Sequence, residues 1–282
     1  MSSITTIVVC GAGTMGNGIA QVCASKGYQV VLFDLNEQVL ETAKKTIQKN
    51  LDFLTSKGKL SSEEANTIHQ RIHYTGSLTD CIGDLIIEAI VEKLEIKRSL
   101  FSQLMDQNKP TTIYCSNTSS LSIKAIAKEL PFENRVAGLH FFNPAPLMPL
   151  VEIVVAEKTD TTIIESLDAF TRSLGKTPVQ CIDAPGFIVN HVARPYYIES
   201  LFLAEKTGLG FDLLDEVLES TGFKMGPFKL MDLIGNDINY AVSCSVYEQL
   251  GKPERLKPSD IQKEKVASGE LGKKTGKGYY QY

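Results

Sequence analysis

Three observations predict a doubly wound α/β domain with a mainly parallel sheet, followed by a smaller all-α domain. A glycine cluster, Gly11-Ala12-Gly13-Thr14-Met15-Gly16, stands between an apolar run and a helix-like stretch close to the N-terminus. From there to Asp183, short apolar runs alternate with segments of helical periodicity, the pattern of parallel strands joined by crossover helices. At Asp183-Ala184-Pro185-Gly186 the strand-like runs stop, and helical segments punctuated by glycine and proline take over. The expected domains are therefore 1–184 and 185–282.

The first strand is Ile7-Val8-Val9-Cys10, and the helix that follows the glycines runs from Asn17 to Lys26. A second apolar run, Val30-Val31-Leu32-Phe33, ends at Asp34. Strand, glycine turn, helix, strand and acid make up the Rossmann dinucleotide-binding fingerprint. Gly11 permits the tight turn, Gly13 lets the backbone approach a pyrophosphate, and Gly16 lets the helix lie close to the sheet. The helix N-terminus offers unpaired N–H groups and a positive dipole end to the phosphates. A carboxylate at Asp34 can accept hydrogen bonds from the adenine-ribose hydroxyls and repels a 2′-phosphate. NAD is thus expected in preference to NADP.

Residues 36–57 read as a long amphipathic helix, with Val39, Leu40, Ala43, Ile47, Leu51 and Leu54 on one side and Lys44, Lys45, Lys49 and Lys57 giving it a basic side. Gly58 ends it, and Ser61-Ser62-Glu63-Glu64 opens a short second helix to about Gln70. This is a helical hairpin inserted after the second strand. Its basic side is either a solvated face or a cationic rim for a phosphate-bearing substrate. Further strands are expected at 72–75, 84–89, 111–116, 136–140, 151–155 and 177–181, with helices at 92–107, 122–130 and 161–174. In the second domain, helices are expected at 187–206, 211–220, 232–250 and 259–268. They are apolar on many faces, so they must be buried against the first domain or against a second copy, and a homodimer is expected.

Composition bounds the function. The 282 residues are 43% hydrophobic and carry a net charge of −4, with no basic block to suggest a nucleic-acid partner. No apolar run reaches the ~18 residues needed to cross a membrane. The chain enters its first strand almost at once, so no secretory segment and a cytoplasmic location are expected. The six cysteines, Cys10, Cys23, Cys81, Cys115, Cys181 and Cys244, form no CxxC pair. Reduced, mostly buried thiols and no metal site are expected.

Four polar residues carry the candidate chemistry. Ser119 follows the strand at 111–116, His140 closes the strand at 136–140, and Asn190 lies just beyond the domain boundary. Glu152 is flanked by Leu150, Val151, Ile153 and Val154. An ionised carboxylate in such a run is costly to bury unless paired, and His140, across an Asn-Pro-Ala-Pro turn, is the nearest candidate partner. A histidine oriented by a carboxylate is a good proton carrier near neutral pH, as alcohol oxidation by NAD requires. A structural histidine, a surface acid, and turn or cap roles for Ser119 and Asn190 are the competing readings. His69 and His73 read as structural or solvent-facing, while His191 adjoins Asn190 and could line the same site.

At these residues the chain resembles the 3-hydroxyacyl-CoA dehydrogenase family, in particular its short-chain, 3-hydroxybutyryl-CoA branch. The matching stretches are the glycine cluster, Ile87-Glu88-Ala89-Ile90-Val91-Glu92, Ser116-Asn117-Thr118-Ser119-Ser120-Leu121, Gly138-Leu139-His140-Phe141-Phe142-Asn143-Pro144, Pro185-Gly186-Phe187-Ile188-Val189-Asn190, Met225-Gly226-Pro227-Phe228 and Gly272-Lys273-Lys274-Thr275-Gly276. The resemblance implies hydride transfer between the C3 carbon of an (S)-3-hydroxyacyl-CoA and NAD, by a single-function subunit. It implies that His140 is the general base, Glu152 its paired acid, and Ser119 and Asn190 the contacts to substrate oxygens. Glu92, Asn143 and Lys274 would join the glycine loop and Asp34 in holding the cofactor, as would Ser119. Lys97 would lie near the cofactor and the thioester end. Asn50, where the family sometimes has serine, and Lys57 would hold the CoA nucleotide, which favours the cationic-rim reading. Members with the same motifs act on other hydroxy acids, such as a sugar acid, or are non-catalytic. Both remain alternatives.

Overall fold

The structure, a computed structural model, describes residues 4–282. The chain divides into two compact units, Met1–Ala184 and Pro185–Tyr282.

The described residues of the first unit build one eight-stranded sheet flanked by helices. In chain order the elements are β1 (Thr6–Cys10), α1 (Thr14–Ser25), β2 (Gln29–Phe33), α2 (Glu37–Ser56), α3 (Ser62–Gln70), β3 (Ile72–Thr75), β4 (Leu85–Glu88), α4 (Leu94–Gln107), β5 (Ile113–Ser116), α5 (Ile123–Ala127), β6 (Val136–Phe141), β7 (Leu150–Val155), α6 (Thr161–Ser173) and β8 (Thr177–Ile182). The strand order is β3-β2-β1-β4-β5-β6-β7-β8. All neighbours are parallel except β6 and β7, which are antiparallel. Chain order therefore reverses between β1 and β4, the point at which doubly wound sheets bind ligands beyond the carboxyl ends of their strands.

The sheet core follows from the apolar runs. Ile7, Val9, Leu32, Leu85, Ile87, Cys115, Ala137 and Leu139 are buried within it, and each large side chain so buried contributes about 1.5–3 kcal/mol. Helix α2 is capped by Asn36, whose side chain accepts from the Gln38 and Val39 N–H groups. It lays Leu40, Ala43, Ile47 and Leu51 on the core. Helix α3 opens with a complete capping box, in which Ser61 and Glu64 satisfy each other's backbone N–H groups.

The second unit contains α7 (Val189–Thr207), α8 (Phe211–Ser220), α9 (Pro227–Ile234), α10 (Asn236–Gln249) and α11 (Asp260–Ala267). The sequence suggested one helix over 232–250. Two are present instead, because Gly235 adopts φ 103° between α9 and α10, a backbone conformation that glycine alone takes without strain. Tyr197, Leu201, Leu214, Phe228 and Met231 form this unit's core. Buried Asp215 caps α9, accepting from the Phe228 N–H at 2.9 Å and the Lys229 N–H at 3.0 Å. Buried Asp232 accepts from the Tyr279 and Tyr280 N–H groups, each at 3.0 Å, and so fastens the C-terminal segment to α9.

Candidate active site

The glycine turn has the geometry that its sequence requires. Gly11 has φ 97°, and a Cβ there would lie 2.5 Å from the Ala89 carbonyl oxygen. A Cβ at Gly16 would lie 1.7 Å from the Gly11 carbonyl oxygen, so the helix could not approach the turn. A Cβ at Gly13 would meet nothing within 4 Å, which leaves open space at the N-terminus of α1, where no side chain caps the first N–H groups. Asp34 follows β2. Its Oδ2 accepts from the Ala12 N–H at 2.9 Å and its Oδ1 from the Asn36 N–H at 2.9 Å. The carboxylate is thereby tied to the glycine turn, with lone pairs remaining on both oxygens. Uncapped N–H groups facing open space, with an oriented acid beside them, fit a dinucleotide.

A groove of about 950 Å3 starts at this turn and runs along α2. Ala12, Gly13 and Thr14 line one end, Thr46, Asn50 and Lys59 the other, and the Asn143-Pro144-Ala145-Pro146 turn one wall. Asn50 donates from Nδ2 to Gln21 Oε1 at 2.9 Å. Lys57, the cation expected at the end of α2, holds its ammonium 5.6 Å from the Phe53 ring centroid. Lys59, which the sequence reading did not single out, contributes to the groove wall.

His140 and Glu152 are register partners on antiparallel β6 and β7. Side chains of directly paired residues stand on the same sheet face, and here His140 Nδ1 lies 2.7 Å from Glu152 Oε2. Both are buried, His140 at 6% and Glu152 at 1% exposure. The carboxylate fixes the tautomer through Nδ1 and compensates any charge the ring gains. With Nδ1 engaged by the carboxylate, Nε2 is the ring nitrogen that can exchange a proton. Phe142 lies against the imidazole, ring centroids 4.5 Å apart.

The loop after β5 is fixed by an ionic network centred on buried Lys97. Lys97 on α4 is 1% exposed, and its ammonium lies 2.6 Å from Glu88 Oε1 and 3.0 Å from Glu92 Oε2. Glu88 Oε2 accepts from the Ser116 hydroxyl at 2.6 Å. Glu92 Oε1 accepts from the Thr118 hydroxyl, from the Ser119 N–H at 3.2 Å and from the Ser120 hydroxyl at 3.0 Å. Burial acts to raise the Glu92 pKa, but Lys97 and the Thr118 and Ser120 hydroxyls outweigh it and hold the carboxyl below its ordinary value. Asn117 completes the frame. Its Oδ1 accepts from the Phe141 N–H at 2.8 Å, linking the Ser119 loop to the residue after His140. Glu88 and Asn117 were not singled out as functional. The signal for Glu88 was an acid at the end of an otherwise apolar strand.

In the second unit, Asn190 occupies the first turn of α7. Gly186 precedes it at φ 76° and accepts from the His191 N–H at 3.0 Å. His191 Nδ1 lies 2.9 Å from the Pro185 carbonyl oxygen, so this ring is engaged by its own turn. Lys274 follows α11 and pairs with Asp237, at 2.6 and 2.7 Å from its two oxygens. The first unit thus holds the glycine turn, Asp34, Asn143, Glu92, Lys97, Ser119 and the His140–Glu152 pair. Asn190 and Lys274 belong to the second.

Among the described residues no group of acids, histidines and cysteines is arranged to hold a metal ion, the cysteines are unpaired, and no helix is long and apolar enough to cross a membrane.

Comparison with known proteins extends these observations. Residues 6–184 match the NAD binding domain of 3-hydroxyacyl-CoA dehydrogenase, and residues 186–282 match the C-terminal domain of that enzyme. The 3-hydroxyadipyl-CoA dehydrogenase of Escherichia coli (strain K12) is 45% identical over 284 residues, covering 100% of this chain and 60% of that protein. The mitochondrial hydroxyacyl-coenzyme A dehydrogenase of Sus scrofa is 39% identical over 284 residues, covering 98% of this chain and 90% of that protein. Among solved structures, the (S)-3-hydroxybutyryl-CoA dehydrogenase of Ralstonia eutropha superposes with a TM-score of 0.94 at 35% identity, covering 99% of each chain.

Proposed function

Because the chain belongs to the 3-hydroxyacyl-CoA dehydrogenase family, we propose that it interconverts (S)-3-hydroxyacyl-CoA and 3-oxoacyl-CoA with NAD, on short acyl chains such as 3-hydroxybutyryl-CoA. The observation that carries this reading is the His140–Glu152 pair, at 2.7 Å on adjacent strands of the sheet that bears the dinucleotide turn.

Bound NAD supplies the two-electron acceptor for C3. His140 Nε2 takes the C3 hydroxyl proton in oxidation and returns it in reduction. Glu152 holds the ring through Nδ1 and stabilises the imidazolium, a contribution of the kind worth about 10²–10⁴ in rate. Ser119 and Asn190 bind the C3 oxygen and the thioester oxygen. The Glu88–Lys97–Glu92 network keeps the Ser119 backbone in place, so Lys97 acts through the loop. Gly11 to Gly16, Asp34, Glu92, Asn143 and Lys274 bind the cofactor. The CoA nucleotide lies along α2, where Asn50, Lys57 and Lys59 offer donors to its phosphates.

The proposal includes a cytoplasmic homodimer formed through the second unit. Exposed Phe202 on α7, Leu213 and Val217 on α8, and Phe223 after it support this reading, since exposed large apolar side chains commonly mark an interface when they form a patch.

Acetoacetyl-CoA and NADH are the test mixture. Loss of reduced-cofactor absorbance on adding the protein is expected. A flat trace across pH 6–8 at saturating substrate, from folded protein, would sink the proposal.

A further inference from the structure

Lys176 stands between α6 and β8. The residue after it, Thr177, donates its N–H to the Pro149 carbonyl at 2.7 Å, and Thr177 and Leu150 open the β7–β8 ladder as register partners. Lys176 is therefore set beside the chain that enters β7, and its side chain reaches the connection between β6 and β7. The ammonium donates to the Ala145 carbonyl at 2.6 Å, to the Met148 carbonyl at 2.8 Å and more weakly to the Pro146 carbonyl at 3.4 Å. An ammonium has three donors, and here all of them go to one loop. Burial and then the Lys26 ammonium lower the Lys176 pKa, and among the described residues no carboxylate offsets them.

That loop is a wall of the groove. Asn143, Pro144, Ala145, Pro146 and Leu147 line it, whereas Lys176 stands outside, on the loop's other side. Within the loop the Leu147 and Met148 N–H groups both donate to the Pro144 carbonyl at 3.0 Å, and the prolines at 144 and 146 have no N–H to offer. Ala145 and Pro146 rest on α1 at Gly18, where a Cβ would lie 3.2 Å from Ala145 Cβ and 3.2 Å from Pro146 Cδ. Carbonyl oxygens that converge on one point repel one another unless a cation stands there. The ammonium thus fixes where the groove-facing side of the loop stands. The residues that flank the loop need no such anchor, because strand register pairs His140 with Glu152.

We propose that Lys176 is a positioning residue for thioester binding: by gathering the Ala145, Pro146 and Met148 carbonyls it holds the wall of the groove against which the CoA arm lies, without touching the substrate. This rests on the reading of the groove as the CoA site and adds a residue that sets affinity rather than turnover.

The test is steady-state kinetics of Lys176→Met in the full chain, with NADH and two thioesters. One is acetoacetyl-CoA, and the other is S-acetoacetyl-N-acetylcysteamine, which lacks the nucleotide and most of the arm. Methionine keeps an unbranched stem but has neither charge nor donor. KM for acetoacetyl-CoA is expected to rise about tenfold or more, the lower end of what hydrogen bonds to a charged group are worth. Its kcat is expected to stay within about threefold of the wild type, as when binding common to ground and transition states is lost. For the short thioester, kcat/KM should also stay within about threefold. An acetoacetyl-CoA KM within about threefold of the wild type overturns the proposal, as does a fall in kcat with KM unchanged. Equal losses on the two thioesters overturn it too, since a general loosening of the fold would produce them. Lys176→Gln, uncharged but polar, carries the same expectations and the same refutations should Lys176→Met fail to fold. No turnover of acetoacetyl-CoA by the wild type contradicts the dehydrogenase reading itself, an outcome distinct from an unshifted KM.

Discussion

Glu152 stands opposite His140 in the β6–β7 ladder, and its Oε2 lies 2.7 Å from the imidazole Nδ1. The two residues are twelve apart in the chain, and the segment between them includes the Asn143-Pro144 turn that returns the chain as an antiparallel strand, so pairing register sets the contact. Glu152→Gln keeps the shape but removes the charge that stabilises the imidazolium. We expect kcat to fall about 10²- to 10⁴-fold, with NADH affinity little changed. Steady-state kinetics alongside a fluorescence titration of NADH separate the two effects. Equal loss of turnover and cofactor binding would point to a purely structural pair.

Gly16→Ala addresses the turn. Its Cβ would stand 1.7 Å from the Gly11 carbonyl oxygen and 2.8 Å from the carbonyl carbon, so the backbone of the turn would have to shift. NADH affinity should drop by more than about tenfold, the outcome expected when the displaced helix no longer presents its N-terminal N–H groups to the pyrophosphate. An unchanged dissociation constant by titration contradicts the role given to this glycine.

Lys97→Met tests the buried network. Removing the ammonium leaves Glu88, fully buried, without its ion partner. Breaking a buried pair in this way costs about 3–5 kcal/mol. Urea unfolding should show that loss, and the double variant Lys97→Met with Glu88→Gln should recover part of it. A single variant as stable as the wild type would show that the network carries no charge-pair energy.

Glu92 gives a pH prediction with a definite sign. Its folded-state pKa is lowered, so its contribution to stability is fully present above the unfolded value of about 4.3 and is lost as pH falls through the lower folded value. Between pH 5 and pH 3, stability measured by urea midpoint should therefore fall less steeply in Glu92→Gln than in the wild type. Parallel curves would remove Glu92 from the acid response.

Much of this was legible in the sequence because it rests on local periodicity. The glycine turn, Asp34, the α2–α3 hairpin and the change of pattern at Pro185 each follow from neighbours in the chain. The 3-hydroxyacyl-CoA dehydrogenase family was legible too, since its motifs are short and contiguous. What escaped depends on register and on side chains that meet across elements. Lys97 read as a ligand contact, yet its ammonium is held by Glu88 and Glu92, a triad drawn from β4, the loop after it and α4. Lys59 stood one turn-residue beyond the glycine that ends α2, outside the helical pattern, so nothing marked it as part of the groove. Lys176 sat between a predicted helix and a predicted strand, with no sequence sign that its ammonium would meet the carbonyls of the β6–β7 connection.

The central claim is that His140 moves the proton while the glycine turn binds the cofactor independently. His140→Gln with acetoacetyl-CoA and NADH tests it most directly, with NADH affinity measured on the same preparation. The account predicts turnover lower by about 10³-fold or more and a dissociation constant for NADH within about threefold of the wild type, a change under 1 kcal/mol. Turnover within about tenfold of the wild type, from a variant that binds NADH normally, would contradict it.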